Sequence, residues 1–89
     1  MKWYFVYILL SELDKKLYIG FTPSDVFERF EKHQWGLVNS TKDRRPLKLI
    51  FFEAYLTQED ALRRERYFKT TKGKTTLKSM LKAFFQIHK

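Results

Sequence analysis

The sequence predicts one mixed α/β (α+β) domain over residues 1–89, a three-stranded antiparallel sheet flanked by three helices in the order β-β-α-β-α-α. Three observations predict this fold. Three runs of aromatic and β-branched residues have strand length, two segments begin with helix-capping residues, and the C-terminal stretch repeats apolar residues at helical spacing. A chain of 89 residues with 18% aromatic content can fill one small core.

The first two strands are predicted to form an antiparallel hairpin. Residues 2–10 are aromatic and β-branched without Gly or Pro, which predicts a strand buried on both faces. A polar turn at residues 11–16 leads into a second strand at residues 17–21. Gly20 lies inside that strand, where glycine indicates that another backbone or a ligand approaches closely.

The first helix is predicted to begin at Thr22–Asp25, with Thr22 as the cap and Pro23 at the first helical position. Gly36 is expected to end it. Three apolar side chains of this helix are expected to face the core: Val26, Phe27 and Phe30.

A loop at residues 37–46 precedes a third predicted strand at residues 47–56. Thr57 repeats the capping signal and opens a second helix, which is expected to break at residues 70–74 with Gly73 as the hinge. A third helix is expected at about residues 76–87. Its apolar face is predicted to contain Leu77, Met80, Leu81, Phe84 and Phe85.

The composition favours a polyanionic partner. Eighteen Lys and Arg against ten Asp and Glu give a formal charge of +8, which suits nucleic acid first and an anionic membrane second. The absence of cysteine excludes disulfides, thiolate metal sites and thiol nucleophiles. Without a recognisable signal peptide or a run of membrane-spanning length, we expect a cytoplasmic protein.

Several polar residues recur at spacings that chemistry can use. Tyr7 and Tyr18 lie on adjacent predicted strands, and Arg29 and His33 are four residues apart on one helix, so each pair can point the same way. Each residue alone has an ordinary structural interpretation. A buried tyrosine is usually core, and an arginine, an imidazole or the carboxylate of Glu65 is usually a surface group.

Together these residues resemble the motifs of the GIY-YIG nucleases. Phe5-Val6-Tyr7 and Leu17-Tyr18-Ile19-Gly20 are similar to the paired motif that names the family, and Arg29-x-x-x-His33 is similar to its helical Arg and His. Ala61-Leu62-x-x-Glu65 is similar to the segment with the metal-binding Glu. In its short length the chain resembles the small stand-alone bacterial members of the family. These are related to the N-terminal domain of the incision subunit of DNA excision repair and to phage homing endonucleases.

The resemblance implies a metal-dependent endonuclease that hydrolyses phosphodiesters in DNA, including branched or damaged DNA. Glu65 would hold one Mg²⁺ or Mn²⁺, and Arg29 would brace the phosphate. Tyr7 would position or deprotonate the attacking water, Tyr18 would orient water or phosphate, and His33 would take or share the proton. Because a phenol has a pKa of about 10, neighbouring cations would have to lower it, or Tyr7 would act only as a relay.

Contacts to nucleic acid are expected from residues around this site. They are Gly20, Thr41, Lys42, Arg44, Arg45, Lys69 and Lys74. No small-molecule cofactor and no membrane contact are expected, and the protein is expected to be a monomer or a weak dimer. Glu53, a second carboxylate within the third strand, is interpreted as an edge residue that faces solvent or pairs with a lysine.

Two features depart from the family pattern. Phe5 replaces a glycine, and the only asparagine, Asn39, precedes Glu65, whereas many family nucleases carry one on a helix beyond it. Lys74 or Lys78 would substitute for that asparagine, or the contact would be absent. Two alternatives therefore stay open: a non-catalytic nucleic-acid-binding module with the same fold, and a basic domain that docks on an acidic protein.

Overall fold

The computed structural model describes residues 1–88 and confirms the predicted fold class. A three-stranded antiparallel sheet is flanked by helices, with the last helical region divided in two. The elements are β1 (Tyr4–Ser11), β2 (Leu17–Thr22), α1 (Val26–Gln34), β3 (Leu47–Tyr55), α2 (Gln58–Phe68), α3 (Thr71–Met80) and α4 (Lys82–Ile87).

The strand order β2-β1-β3 makes β1 the central strand. Residues 6–11 of β1 are buried, as its unbroken apolar sequence predicted. Both neighbours run antiparallel to it, and Tyr7 of β1 pairs with Gly20 of β2 and Phe52 of β3. The outer edge of β2 is therefore one side of the sheet, and Gly20 lies on it.

Alternate residues of β1 point to two separate parts of the core. Val6 and Ile8 pack with Ala61, Phe68 and Leu77, so α2 and α3 cover that face. Tyr7 and Leu9 point the other way and pack with Val26 and Leu47. The helix α1, which begins at Val26, therefore covers the face that carries Tyr7.

The start of α1 differs from the prediction. Asp25, and not Thr22, is the N-cap: its carboxylate accepts the backbone N–H groups of Phe27 and Glu28 at 2.9 and 3.1 Å. Thr22 instead ends β2, and its hydroxyl accepts the Ser24 backbone N–H at 3.2 Å. Gly36 follows the helix at φ +78°, as expected of a C-terminal stop.

The buried face of α1 also differs from the prediction. Val26, Phe30 and His33 share the inward stripe, and His33 is fully buried. Phe27 is rotated outward and is 57% exposed, so its predicted core position is wrong. It packs edge-on against Phe52 of β3.

Gly73 is not a hinge, because it lies inside the first turn of α3. A Cβ atom at this position would overlap the carbonyl oxygen of Tyr67, so glycine lets α3 approach the end of α2. The break between these helices falls at Lys69, and the Thr70 hydroxyl caps α3 by accepting the Gly73 N–H at 3.0 Å.

The predicted single helix at residues 76–87 is two helices, since α3 ends at Met80 and α4 begins at Lys82. Leu77 is fully buried as predicted, whereas Met80 is 43% exposed. No helix among residues 1–88 is both long enough and apolar enough to cross a membrane.

Candidate active site

The side chain of Tyr7 extends from the central strand across Gly20 to the outer edge of β2. A Cβ atom on Gly20 would overlap the phenol ring and lie 2.5 Å from its hydroxyl oxygen. The group that approaches Gly20 closely in this structure is therefore the Tyr7 ring, a side chain of the neighbouring strand. Glycine at this position is what lets a tyrosine of the buried strand bring its hydroxyl to the sheet edge.

Three side chains from α1 and the following loop hold this hydroxyl in a hydrogen-bonded series. Arg29 Nε donates to Tyr7 Oη at 3.3 Å, Tyr7 Oη lies 2.7 Å from His33 Nε2, and His33 Nδ1 lies 2.7 Å from Thr41 Oγ1. A guanidinium only donates, so the Tyr7 oxygen accepts there. We assign the Tyr7 proton to the bond with His33 Nε2, and the imidazole proton to Nδ1, which donates to Thr41.

Burial keeps this series uncharged at neutral pH except for Arg29. Burial raises the pKa of Tyr7 to about 12; the Arg29 hydrogen bond opposes that rise, and the charges of Tyr18 and Glu65 add to it. Burial and then the Arg29 charge lower the pKa of His33 to about 4. Arg29 lowers the pKa of Tyr7 by less than burial raises it, so Tyr7 is a neutral phenol at neutral pH.

Tyr18 lies beside this series on β2. Its ring centroid is 5.2 Å from that of His33 and 6.3 Å from that of Tyr7. Ser40 Oγ, from the loop after α1, is 3.5 Å from the Tyr18 hydroxyl. The imidazole of His33 therefore contacts both phenol rings, and the two tyrosines lie close together as predicted.

Glu65 comes from α2, which covers the opposite face of the sheet from α1. Its negative charge makes a minor contribution to the raised pKa of Tyr7, far behind that of burial. The Glu65 side chain is only 17% exposed, and one carboxylate oxygen pairs with Lys69 Nζ at 3.3 Å.

This carboxylate fits a single hard cation. In the part of the chain that the structure describes, no three His, Cys, Asp or Glu side chains are grouped to hold a metal ion. A divalent ion at Glu65 would have one protein carboxylate, with water and phosphate oxygens as further ligands, which Mg²⁺ commonly accepts. The second Glu65 oxygen makes no hydrogen bond or ion pair within residues 1–88 and is available for this purpose.

Thr41 has a different place from the one expected. It is fully buried and holds the His33 ring, so it cannot contact a nucleic-acid backbone in this conformation. Its role here is to position the imidazole. The sequence carries no local signal for this contact, because eight residues and a change of direction separate Thr41 from His33.

The basic residues expected to contact nucleic acid divide into two groups. Arg44 pairs with Asp14 at 2.8 Å, lowering the pKa of that carboxyl to about 2, and also donates to the Lys16 carbonyl. Arg45 donates to the Lys42 carbonyl at 2.7 Å. Both arginines therefore fasten the loop, whereas the side chains of Lys42 and Lys74 are exposed and unpaired within residues 1–88.

Glu53 has the structural role expected from sequence, with an arginine in place of the expected lysine. It lies on the edge strand β3 and accepts two hydrogen bonds from Arg64, at 2.9 and 3.2 Å. The Tyr55 hydroxyl donates to it at 2.7 Å. The strand β3 is the opposite edge from β2, so Glu53 is not part of the candidate site.

A hairpin with two tyrosines, a helix with Arg and His, and a second helix with a partly buried Glu define a small nuclease-type α/β domain. The family model of the GIY-YIG catalytic domain matches residues 3–78. The chain belongs to the GIY-YIG family, whose members are typically nucleases that use divalent metal ions and act on nucleic acids.

Relatives named UPF0213 protein are similar over most of their length. Those of Staphylococcus aureus strains Mu3 and Mu50 are 44% identical over 68 residues, which is 75% of this chain and 80% of theirs. The solution NMR structure of the UPF0213 protein of Bacillus halodurans is 33% identical. It superposes with a TM-score of 0.55 over 88% of this chain and 84% of that one.

Proposed function

We propose that the protein is a divalent-metal-dependent endonuclease that hydrolyses phosphodiester bonds in DNA. The observation that carries the proposal is the unbroken hydrogen-bonded series from Arg29 through Tyr7 and His33 to Thr41. A phenol fixed between a guanidinium and a neutral imidazole is suited to positioning water beside a phosphate.

Arg29 binds the scissile phosphate in this proposal. Its Nε is used by Tyr7, while its two terminal nitrogens make no hydrogen bond within residues 1–88 and remain available. Two parallel N–H donors match two phosphate oxygens. Arg29 therefore fixes the phosphate and the Tyr7 hydroxyl relative to each other.

Glu65 would hold Mg²⁺ or Mn²⁺, which would supply charge stabilisation on the phosphate and the leaving oxygen. Lys69 pairs with one of the two Glu65 oxygens, so a cation on the other oxygen would weaken this ion pair by charge repulsion and free Lys69 to move. The released Lys69, which extends from the end of α2, then contacts the DNA backbone.

Tyr7 positions the attacking water and relays its proton. With pKa values of about 12 for Tyr7 and about 4 for His33, the resting pair is phenol and neutral imidazole. Tyr7 therefore accepts the water proton only as its own proton moves to His33 Nε2, because a free phenolate is rare at neutral pH. Tyr18, in contact with the imidazole, orients the water or a phosphate oxygen.

The experiment is nicking of supercoiled plasmid with Mg²⁺ or Mn²⁺, extended to branched and single-stranded DNA to define the substrate. We expect Glu65→Gln and Tyr7→Phe to lose nicking while they still bind DNA. The matched control is Glu59→Gln, an exposed carboxylate in the first turn of the same helix. Equal nicking by wild type and Glu65→Gln would exclude hydrolysis at this site.

One observation favours a second function, the binding of nucleic acid without hydrolysis. Lys69 occupies the carboxylate that would hold the metal, and the family asparagine beyond Glu65 is missing. This alternative predicts salt-sensitive DNA binding that neither a chelator nor Tyr7→Phe changes, with no nicking by the wild type. Within either function we propose a cytoplasmic monomer or weak dimer, and gel filtration with and without DNA measures that state.

A further inference from the structure

A cavity of about 330 Å³ lies between the β1–β2 hairpin loop and α3. We call it the lysine cleft, and it is lined by Lys15, Lys16, Leu17, Lys74 and Lys78. Its volume is at the low end of ligand-site volumes, roughly 300–1,000 Å³. Four of its five lining residues are cations, and none is an anion.

The fold fixes these four lysines together from two directions. Lys15 stands at the hairpin turn with φ +62°, where its N–H donates to the Ser11 carbonyl at 2.9 Å. Lys74 and Lys78 are four residues apart on α3, so their side chains emerge on one side of the helix. The hairpin and the helix thus present paired ammonium groups to a shared concave surface.

Among residues 1–88, no carboxylate forms an ion pair with a lysine of the cleft. Asp14, next to Lys15 in sequence, is already paired with Arg44. Within residues 1–88, none of the four ammonium groups makes an ion pair or a side-chain hydrogen bond. Like charges four residues apart on a helix destabilise it slightly, and a bound anion would offset this repulsion. A concave wall of one charge also focuses the potential and concentrates anions.

We propose that the lysine cleft binds the phosphodiester backbone of a DNA strand on one side of the scissile phosphate. Ammonium groups on flexible stems suit successive phosphates, and they make no contact that reads a base. Leu17 lines the cleft and packs on the sheet face that α2 and α3 cover, and α2 also carries Glu65, so the cleft and the candidate metal ligand belong to the same face of the sheet. The choice of DNA as the polyanion rests on the proposed function.

The test counts the phosphate contacts through the salt dependence of binding. A labelled DNA duplex is titrated with the full chain in chelator at several salt concentrations, so that no hydrolysis occurs. Each lost phosphate contact reduces the slope of log affinity against log salt by about 0.9. We expect Lys74→Gln with Lys78→Gln to reduce the slope by about 2 and to weaken binding at low salt.

The matched control is Lys2→Gln with Lys82→Gln, two exposed lysines that lie outside the cleft and the candidate site. An equal loss of slope in both double variants would overturn the proposal, as would an unchanged slope in the cleft variant. Tighter binding to phosphatidylglycerol vesicles than to DNA at equal salt would overturn it too.

A failure of the cleft and a failure of catalysis are separate results. Tyr7→Phe, which changes no charge and leaves the cleft intact, is expected to bind DNA with the wild-type slope while nicking is lost. If the wild type nicks and the cleft variant keeps its slope, the cleft proposal fails and the proposed function stands. If the wild type does not nick DNA, but the cleft variant and not its control loses slope, the proposed function fails and the cleft proposal stands.

Discussion

Replacing Gly20 by alanine tests whether this position is reserved for the Tyr7 ring. The new methyl group would overlap a phenol that is 1% exposed and cannot swing into solvent without leaving the core. Overpacking of this kind costs about 1–3 kcal/mol. Each disturbed Tyr7 hydrogen bond, to Arg29 and to His33, adds about 1 kcal/mol.

We therefore expect Gly20→Ala to lower the free energy of unfolding by about 3–5 kcal/mol, and Tm by roughly 15–25 °C for a domain of this size. Thermal and urea unfolding measure both quantities. The control is the same substitution in a Tyr7→Leu background, whose shorter side chain does not reach across Gly20. There alanine should be neutral or stabilise by about 0.5–1 kcal/mol, because glycine loses more entropy on folding.

The two substitutions should thus show a coupling energy of about 2 kcal/mol or more. If Gly20→Ala costs the same with tyrosine or leucine at position 7, the methyl group meets something other than the phenol. The assignment of Gly20 to the Tyr7 ring would then be refuted.

Three further predictions concern the groups around Tyr7. Thr41→Val should lower the free energy of unfolding by about 1–3 kcal/mol and reduce nicking, because it leaves His33 Nδ1–H without its acceptor. Thr41→Ser keeps the acceptor and should restore both. Equal melting temperatures of the valine and serine variants would contradict this. The pKa of His33 is about 4 in the folded protein, against a reference value of 6.5, so protonation favours the unfolded state. The stability present at pH 7 should therefore fall by about 3 kcal/mol as the pH drops from 6.5 to about 4. His33→Gln should remove that part of the pH dependence, and parallel urea-midpoint curves for wild type and variant would disprove it. Lys69→Gln should tighten Mn²⁺ binding about fivefold, because it removes roughly 1 kcal/mol of competing attraction to Glu65. Lys72→Gln is the control. Calorimetry that shows equal Mn²⁺ affinities for the two variants would rule out competition.

The fold was largely predictable because its signals are local. The apolar run of β1, the Thr57 cap of α2 and Gly36 after α1 each act within a few residues, and the structure confirms them. The errors arose where a tertiary contact decides the local structure. Thr22 has the chemistry of a cap, but pairing with Phe5 keeps it in β2 and moves the start of α1 to Asp25.

The residues that form the site were predictable only as a set, through their spacing. Their environment was not, because burial depends on packing between distant segments. Nothing near His33 in the sequence shows that it is fully buried, and nothing near Tyr7 shows a pKa of about 12. The composition also suggested that the arginines are free to bind nucleic acid, but Arg44 forms an ion pair with Asp14, thirty residues away in the sequence.

The most direct test of the central claim is where a paramagnetic ion binds. Mn²⁺ is titrated into isotope-labelled wild type, Glu65→Gln and the control Glu59→Gln, and the broadening of the Tyr7, Tyr18 and His33 side-chain NMR signals is followed. We predict saturable broadening of these signals in wild type and control, and its loss in Glu65→Gln. Broadening that is equal in all three proteins, or centred on another part of the chain, would contradict a metal held by Glu65 beside the Tyr7 hydroxyl.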